Sequence, residues 1–152
     1  SLDWRKRDKF KAYVAEGLID DQKVMLLKPA TMYNLTGDAV QAAAQFYKIT
    51  PADIVVAHDE LALQFGVIRA RVGGSDAGNN GIKSVIAAIG QDFARIRVGI
   101  ANEHLATTEA ADFVLSRFNK GEQQTLSDIK KHATIYVGAF ISGSFDHTTH
   151  TM

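Results

Sequence analysis

The chain contains the segment Ile54-Val-Val-Ala-His-Asp-Glu60, in which a short apolar run ends in acidic residues. It is followed by Gly73-Gly-Ser-Asp-Ala-Gly-Asn-Asn-Gly81, where four glycines and two adjacent amides precede a pattern typical of a helix. Open α/β sheets hold their ligands at the carboxyl ends of their strands, beside loops of this kind. The two segments therefore predict an α/β fold and a ligand site built from their polar residues.

Apolar patterns on both sides of these segments predict alternating strands and helices. Strands are predicted at residues 10–17, 23–28, 54–57, 67–72 and 94–100, and helices at 34–47, 82–89, 107–118 and 122–141. The first two strands are expected to form an antiparallel hairpin. The whole pattern predicts a single domain, residues 1–152, folded as a three-layer α/β/α sandwich with a mixed, twisted sheet. The polar segment 145–152 is predicted to be a flexible tail.

The composition narrows the class of function. The 152 residues include 17 basic and 17 acidic side chains, so a nucleic-acid partner would have to be held by a local basic patch. The absence of cysteine excludes a thiol nucleophile and Cys-ligated zinc. The histidines outside the first segment show no ligand spacing with carboxylates, so no metal is expected. No apolar run approaches the roughly 18 residues of a membrane span, and no membrane partner is expected.

The tripeptide His58-Asp59-Glu60 is a candidate catalytic element. An aspartate at the end of a strand can orient a histidine and stabilise its charged form, although it can equally be an acid that caps a turn. His58 is a candidate general base. Neighbouring side chains on a strand point to opposite faces, however, so His58 and Asp59 do not easily serve one site. We interpret His58 as structural.

The glycine-rich loop is a second candidate. Glycines allow a close approach of the backbone to a ligand, and the N-terminus of the following helix favours anions. The loop lacks the Gly-Lys-Ser/Thr of a phosphate loop and the spacing of a dinucleotide fingerprint. Asn79 and Asn80 offer donors and acceptors for a water, a peptide group or an oxyanion. A loop that only reverses the chain is the alternative.

Basic residues lie around the same strand ends: Arg69, Arg71, Lys83, Arg95 and Arg97. Guanidinium groups suit phosphate oxygens, and the period of two puts each pair of strand arginines on one face. This pattern indicates either a phosphate-binding patch or a solvated, salt-bridged face of a sheet.

Four motifs in register resemble bacterial-type peptidyl-tRNA hydrolase, with the likeness running from Phe10 to Phe140. They are Lys28-Pro-Ala-Thr-Met-Tyr-Asn-Leu-Thr-Gly37, Val56-Ala-His-Asp-Glu-Leu61, the glycine loop up to Lys83, and Arg95-Ile-Arg-Val-Gly-Ile100. The resemblance implies a cytoplasmic, monomeric esterase without metal or cofactor. Such an enzyme cuts the ester between a peptide and the 3′ adenosine of tRNA and frees the tRNA for translation.

The resemblance also implies roles for individual residues. Asp59 matches the acid that orients the catalytic histidine, and Asn80 matches the amide that binds substrate and holds the attacking water. Asn34 matches the amide of the family's Met-Asn-Leu-Ser/Thr-Gly motif, and Asn79 stands where relatives carry His or Asn. The residues expected to bind substrate are Tyr33, Asn34, Gly78 and Asn79; those expected to bind tRNA are Arg69, Arg71, Lys83 and Arg97.

The chain departs from the family's pattern in two places. The family begins with a strand and a Gly-Asn-Pro-Gly segment, then a Thr-Arg-His-Asn segment whose histidine is the catalytic base, and neither precedes Phe10. We therefore expect an N-terminally truncated form of a longer protein. The segment Ala101-Asn-Glu-His104 stands where relatives often have a His-Pro-Gly turn. A non-catalytic domain that binds the acceptor end of tRNA is the alternative, and an unrelated α/β binding domain is a third.

Overall fold

The computed structural model describes residues 3–152. The chain divides into two compact units. The first unit is made by the residues up to Ile54 together with Gly73–Phe93, and the second unit by Val55–Val72 together with Ala94–Met152. The single domain expected from the sequence stays a prediction, and the elements of each unit are described in turn.

The first unit contains a three-stranded antiparallel sheet in the order β1-β2-β3. Its strands are β1 (Arg5–Arg7), β2 (Ala12–Ile19) and β3 (Gln22–Pro29). The predicted hairpin between the first two long strands is confirmed, with Ile19 opposite Gln22. Asp20 and Asp21 have φ values of 47° and 60°, which is the conformation that a two-residue hairpin turn requires.

Two helices complete the first unit, α1 (Thr36–Tyr47) and α2 (Asn80–Ile89), and a 3₁₀ turn at Tyr33–Leu35 precedes α1. The helices pack closely because Gly37 has no side chain: a Cβ there would collide with the carbonyl of Ser84. The backbone N–H of Gly37 donates to Oγ of Ser84 at 2.9 Å. This packing holds the Tyr33–Leu35 turn against α2.

The second unit contains a mixed four-stranded sheet in the order β4-β6-β5-β7. Its strands are β4 (Val55–Gln64), β5 (Val67–Val72), β6 (Ala94–Ala101) and β7 (Thr149–Thr151). β4 and β6 are parallel, whereas β5 is antiparallel to β6 and to β7. The α/β class and the mixed sheet predicted from the sequence are thereby confirmed. β4 continues well beyond the predicted strand at residues 54–57.

The helices of the second unit follow β6. A 3₁₀ turn at Glu103–Thr107 leads to α3 (Ala110–Leu115) and to the long α4 (Lys120–Ile141), which packs on β4, β5 and β6. α4 begins with a capping box between Asn119 and Glu122. In the described residues 3–152 no helix has both the length and the apolar character needed to cross a bilayer.

The C-terminal segment takes part in the sheet. Thr149–Thr151 form β7 and pair with Val67–Arg69 of β5. The sequence predicts only a polar tail at residues 145–152, because the segment has neither an apolar run nor a turn signal. The flexibility of the tail stays a prediction, but three of its residues are hydrogen-bonded to a neighbouring strand.

Candidate functional site

The loop before α2 is shaped by Asp76. Its carboxylate accepts a hydrogen bond from the backbone N–H of Gly78 at 2.8 Å, and its carbonyl accepts one from the N–H of Asn79 at 2.9 Å. Ala77 and Gly78 both have positive φ, at 50° and 80°, so the chain turns sharply between them. Sequence reasoning missed Asp76, although an aspartate two residues before a glycine is a signal of such a turn.

Asn79 is the N-cap of α2. Its Oδ1 accepts a hydrogen bond from the backbone N–H of Ile82 at 2.9 Å and a second from the hydroxyl of Tyr33, also at 2.9 Å. Gly81 makes room for this arrangement, because a Cβ there would lie 2.9 Å from Cζ of the tyrosine ring. The structure thus brings together Tyr33 and Asn79, two of the residues expected to bind substrate.

The remaining predicted residues of the first unit lie on the same elements. Asn34 follows Tyr33 in the turn that packs against α2, Gly78 ends the loop, and Asn80 and Lys83 belong to the first turn of the helix. All four are exposed. Amide groups at the positive end of a helix suit a neutral carbonyl, a water or a developing oxyanion.

The predicted acidic residue Asp59 belongs to the second unit, in β4. Its carbonyl oxygen lies 2.7 Å from Nδ1 of His58. Burial lowers the pKa of His58 below its ordinary value, against the opposing effects of that carbonyl and of the Glu60 and Asp59 carboxylates. A neutral, half-buried imidazole bonded to its own strand favours the structural interpretation of His58.

Strand register separates Asp59 from its neighbours. His58 is opposite Arg97 on β6, whereas Asp59 is opposite Val98. Opposed residues share a face of the sheet and successive residues alternate, so Asp59 lies on the face opposite to His58 and Arg97. This agrees with the expectation that His58 and Asp59 do not serve one site together.

The four strand arginines share one face of the sheet of the second unit, because Arg69 is opposite Arg97 and Arg71 is opposite Arg95. Arg95 is buried, with 3% of its surface exposed, whereas the other three are half-buried. Burial at this depth keeps Arg95 from reaching a phosphate in solvent. Three arginines of this face, and not the four that the sequence pattern indicates, are therefore accessible to an anion.

The other three arginines have partners within the second unit. Arg97 donates two hydrogen bonds to the carboxylate of the buried Glu60. Nε of Arg69 donates to Oγ1 of Thr149 at 3.2 Å, and Nη1 of Arg71 donates to the carbonyl of Thr148 at 3.0 Å. A phosphate that binds Arg69 or Arg71 would meet guanidinium groups already oriented by the C-terminal segment.

The histidines of α4 and of the C-terminal segment make contacts with one another and with the sheet. The rings of His132 and His150 stack with their centroids 3.7 Å apart, and Nε2 of His147 accepts a hydrogen bond from the backbone N–H of Val72. Across residues 3–152, no three His, Asp or Glu side chains are grouped so that they would hold a metal ion.

Comparison with known proteins identifies relatives over most of the chain. It is 42% identical over 143 residues to the peptidyl-tRNA hydrolase of Maricaulis maris, which covers 94% of this chain and 70% of the relative. It is 47% identical over 116 residues to that of Parvibaculum lavamentivorans, which covers 76% of this chain and 56% of the relative. Other relatives are matched over a similar share, and that of Cereibacter sphaeroides over 55% of its length. The chain thus spans little more than half the length of several curated relatives.

Solved structures share the fold. The crystal structure of peptidyl-tRNA hydrolase from Acinetobacter baumannii superposes with a TM-score of 0.83 at 32% identity, over 93% of this chain and 72% of that chain. A peptidyl-tRNA hydrolase in complex with N-propanol superposes with a TM-score of 0.86 over the same shares. The sequence model of the family described as peptidyl-tRNA hydrolase matches residues 1–152. With that match, these relatives and this fold, the chain belongs to the peptidyl-tRNA hydrolase family.

Proposed function

We propose that the protein hydrolyses the ester bond of peptidyl-tRNA and so returns free tRNA to translation. Membership of the family supports this proposal, as does the cluster of amides at the start of α2. The observation that carries it is the arrangement of Asn79 as the cap of α2 with Asn80 exposed beside it. We further propose that it works in the cytoplasm as a monomer, without a metal or cofactor.

Each amide has a distinct part in the proposed reaction. Asn80 and Asn34 hold the attacking water and the carbonyl of the ester, and an amide N–H stabilises the oxyanion of the tetrahedral intermediate. Gly78, Asn79 and Tyr33 contact the peptide portion. Donors fixed before the reaction stabilise the developing charge without reorganisation, which is the source of their effect on rate.

The general base is the remaining requirement. Asp59 orients a histidine, which removes a proton from the water. In the family that this chain resembles, the histidine lies in a Thr-Arg-His-Asn segment. Residues 1–152 contain no such sequence. We propose that the base is supplied from outside these residues. His58 does not fill the role, because its Nδ1 is bonded to the carbonyl of Asp59 on its own strand and its Nε2 is buried away from solvent.

Basic residues hold the tRNA. Arg69, Arg71, Arg97 and Lys83 contact phosphates of the acceptor stem, so binding weakens as salt rises. Removing one phosphate contact is expected to make the plot of the logarithm of the binding constant against the logarithm of the salt concentration less steep, by about 1 unit of slope.

The experiment measures the release of N-acetylaminoacyl groups from tRNA. It compares the chain itself with a fusion in which the part of the Maricaulis maris relative that lies before the matched region is joined to the N-terminus of the chain. Hydrolysis is expected from the fusion. Asn80→Ala in the fusion is expected to lower kcat by about 100-fold, the effect of one oxyanion donor. The exposed amide Gln91, in the same unit, provides a matched control as Gln91→Ala.

A second candidate is the non-catalytic tRNA-binding domain, which the absence of the Thr-Arg-His-Asn sequence favours. Salt-sensitive binding of tRNA without hydrolysis in either form would support it and would contradict the hydrolase. Hydrolysis by the fusion that is indifferent to Asn80→Ala would retain the reaction but contradict the assigned role of the amide.

A further inference from the structure

The basic side chains of the chain are concentrated in one segment of the first unit. Residues 3–11 include five of the 17 basic side chains and two of the 17 acidic ones. β1 consists of three consecutive basic residues, Arg5, Lys6 and Arg7, and all three are exposed. A chain without net charge can still bind an anion where its cations are concentrated in this way. The segment is therefore a local basic patch of the kind that a nucleic-acid partner requires.

Strand register places two lysines and a tyrosine in one row across the sheet of the first unit. Lys6 of β1 is opposite Tyr13 of β2, and Tyr13 is opposite Lys28 of β3. Residues that are opposite one another share a face of the sheet, so the tyrosine stands between two lysines. Since neighbouring strands are about 4.8 Å apart, the backbones of the two lysines are about 10 Å apart. These three residues are named the Lys6–Tyr13–Lys28 row.

The row is accessible, and no carboxylate of the sheet shares its face. Tyr13 has 44% of its surface exposed, and both lysines are exposed. Glu16 is the only acidic residue in the three strands, and alternation along β2 puts it on the opposite face. Nζ of Lys6 lies 3.4 Å from Oδ1 of Asp8. Because both side chains are exposed, this surface pair is weak and a phosphate can compete with it.

Two further observations define the extent of the row. Nζ of Lys28 lies 4.4 Å from the centroid of the Trp4 ring, and this cation–π contact holds the ammonium along the sheet. Ala15, the next residue of β2 on the same face, is buried, with only 2% of its surface exposed. The accessible part of the face is therefore short. It presents the ring of Tyr13 between two cations, an arrangement that suits one stacked base.

We infer that the Lys6–Tyr13–Lys28 row binds a single-stranded nucleic acid. One base stacks on the ring of Tyr13, and the ammonium groups of Lys6 and Lys28 bind the phosphates on its two sides. Every base has a π-face, so the site tolerates different sequences. The bases of a duplex are stacked on one another and offer no face to the ring. The inference does not depend on the proposed function, which rests on the loop before α2 and on other basic residues.

The test measures the binding of a fluorescein-labelled octa-adenylate to the full chain by fluorescence anisotropy, at about 50 mM salt, where phosphate contacts are strong. Tyr13→Ala removes the stacking surface and is expected to weaken binding by about tenfold. Tyr13→Phe keeps the ring and is expected to bind as the unaltered chain does. A loss of affinity in Tyr13→Ala that Tyr13→Phe does not share supports a stacked base.

The lysines are tested by the salt dependence of the same binding. Lys6→Gln and Lys28→Gln are each expected to weaken binding and to make its dependence on salt less steep, by about 0.7 unit of slope for a single strand. Lys23→Gln is the matched control, because Lys23 is exposed on the same strand as Lys28 and alternation puts it on the opposite face. This control is expected to leave the affinity and the slope nearly unchanged.

Competitors identify the ligand. An octaglutamate peptide carries negative charge without bases, and it is expected not to displace the octa-adenylate. Transfer RNA with its single-stranded 3′ end is compared with tRNA from which that end has been removed. Displacement by the intact tRNA alone supports the inference with that end as the source of the ligand, and displacement by neither supports it with another single strand as the source. Equal displacement by both would mean that duplex regions bind, and would overturn it.

Other outcomes would also overturn the inference. They are an affinity that Tyr13→Ala does not change, an equal effect of Lys23→Gln and Lys28→Gln, and displacement by octaglutamate, which would indicate an acidic protein partner. Thermal unfolding of each variant is followed in parallel. If Tyr13→Ala is unstable, the comparison of the exposed lysines still decides. A chain that does not bind octa-adenylate overturns the inference and leaves the proposed function standing.

Discussion

The guanidinium of Arg97 on β6 holds the carboxylate of Glu60 on β4 through two hydrogen bonds, 3.0 Å from Nε and 2.8 Å from Nη2 to Oε2. Glu60 is only 2% exposed, and its second oxygen accepts from the backbone N–H of Ala62 at 3.0 Å. A buried charge of this kind is tolerated because it is paired and hydrogen-bonded. The pair joins two parallel strands of the second unit.

Replacing Glu60 by Gln is expected to destabilise the fold by about 3 kcal/mol, because Arg97 then keeps its charge in a partly buried place without a counter-charge. Unfolding in urea at neutral pH measures the change. Glu103→Gln is the control, since that side chain is 82% exposed and its pairing with His104 is long, at 3.8 Å. Equal stability losses in the two variants would contradict the importance of the buried pair.

Stability is expected to fall as the pH decreases below 6.5, in part because of His58. The unfolded chain binds a proton on this imidazole near its ordinary pKa of 6.5, whereas burial lowers the pKa in the folded state. Between those two values the unfolded state holds more protons, and the free energy of unfolding drops by up to about 1.4 kcal/mol per pH unit.

Urea unfolding from pH 7.5 to 5 checks this expectation. The difference between the unaltered chain and His58→Gln isolates the contribution of His58 from that of the carboxylates, and it is expected to change with pH in that window. The exposed His104, as His104→Gln, is the control. A His58→Gln variant with the same pH dependence as the unaltered chain would mean that the imidazole titrates normally.

A methyl group is expected to have opposite effects at two helical glycines. Gly37→Ala would drive a Cβ into the carbonyl of Ser84 and should destabilise the fold by about 1 to 3 kcal/mol, the usual cost of overpacking. Gly138, in α4, has nothing within 4 Å of its added Cβ, and Gly138→Ala should stabilise by about 0.5 to 1 kcal/mol. Urea unfolding measures both, and changes of the same sign would refute the role given to Gly37 in the packing of α1 on α2.

Removing the hydroxyl of Thr149 is expected to strengthen binding of a tRNA acceptor-stem hairpin. The hydroxyl accepts from Arg69 at 3.2 Å and from Arg71 at 3.4 Å, so a phosphate must compete with it for these donors. Thr149→Val should tighten binding by about two- to fivefold at fixed salt, because it removes one acceptor whose two long hydrogen bonds compete with the phosphate. Thr151→Val, on the same strand, is the control, and an unchanged affinity in Thr149→Val would argue against competition.

Much of the fold is predictable from local pattern. The bounds of β5 coincide with those predicted from the alternation of Val67–Val72, and α2 ends where Gly90 indicates. The α/β class, the hairpin of β2 and β3 and the family are likewise confirmed. The bounds of β5 and the end of α2 follow from residues close to one another in the sequence, whose local preferences agree with the fold. The family follows from several such local motifs taken in order along the chain.

The end of a strand cannot be predicted from the local sequence when polar residues of the strand pair with residues far away in the chain. β4 runs past His58-Asp59-Glu60 to Gln64, because the charge of Glu60 is met by Arg97, 37 residues away. No pattern in the sequence predicts β7. It forms because its backbone hydrogen-bonds to the edge of β5.

The candidate site divides in the same way. Residue types and spacing alone were enough to indicate an amide-rich loop at the start of a helix, since glycines and asparagines carry that information locally. Only the folded chain decided that the hydroxyl of Tyr33 meets the carboxamide of Asn79, 46 residues away, and that Arg69 and Arg71 already have hydrogen-bond acceptors. Such contacts join segments that no local pattern connects, and they form because the packing of helices and strands brings their side chains within hydrogen-bonding distance.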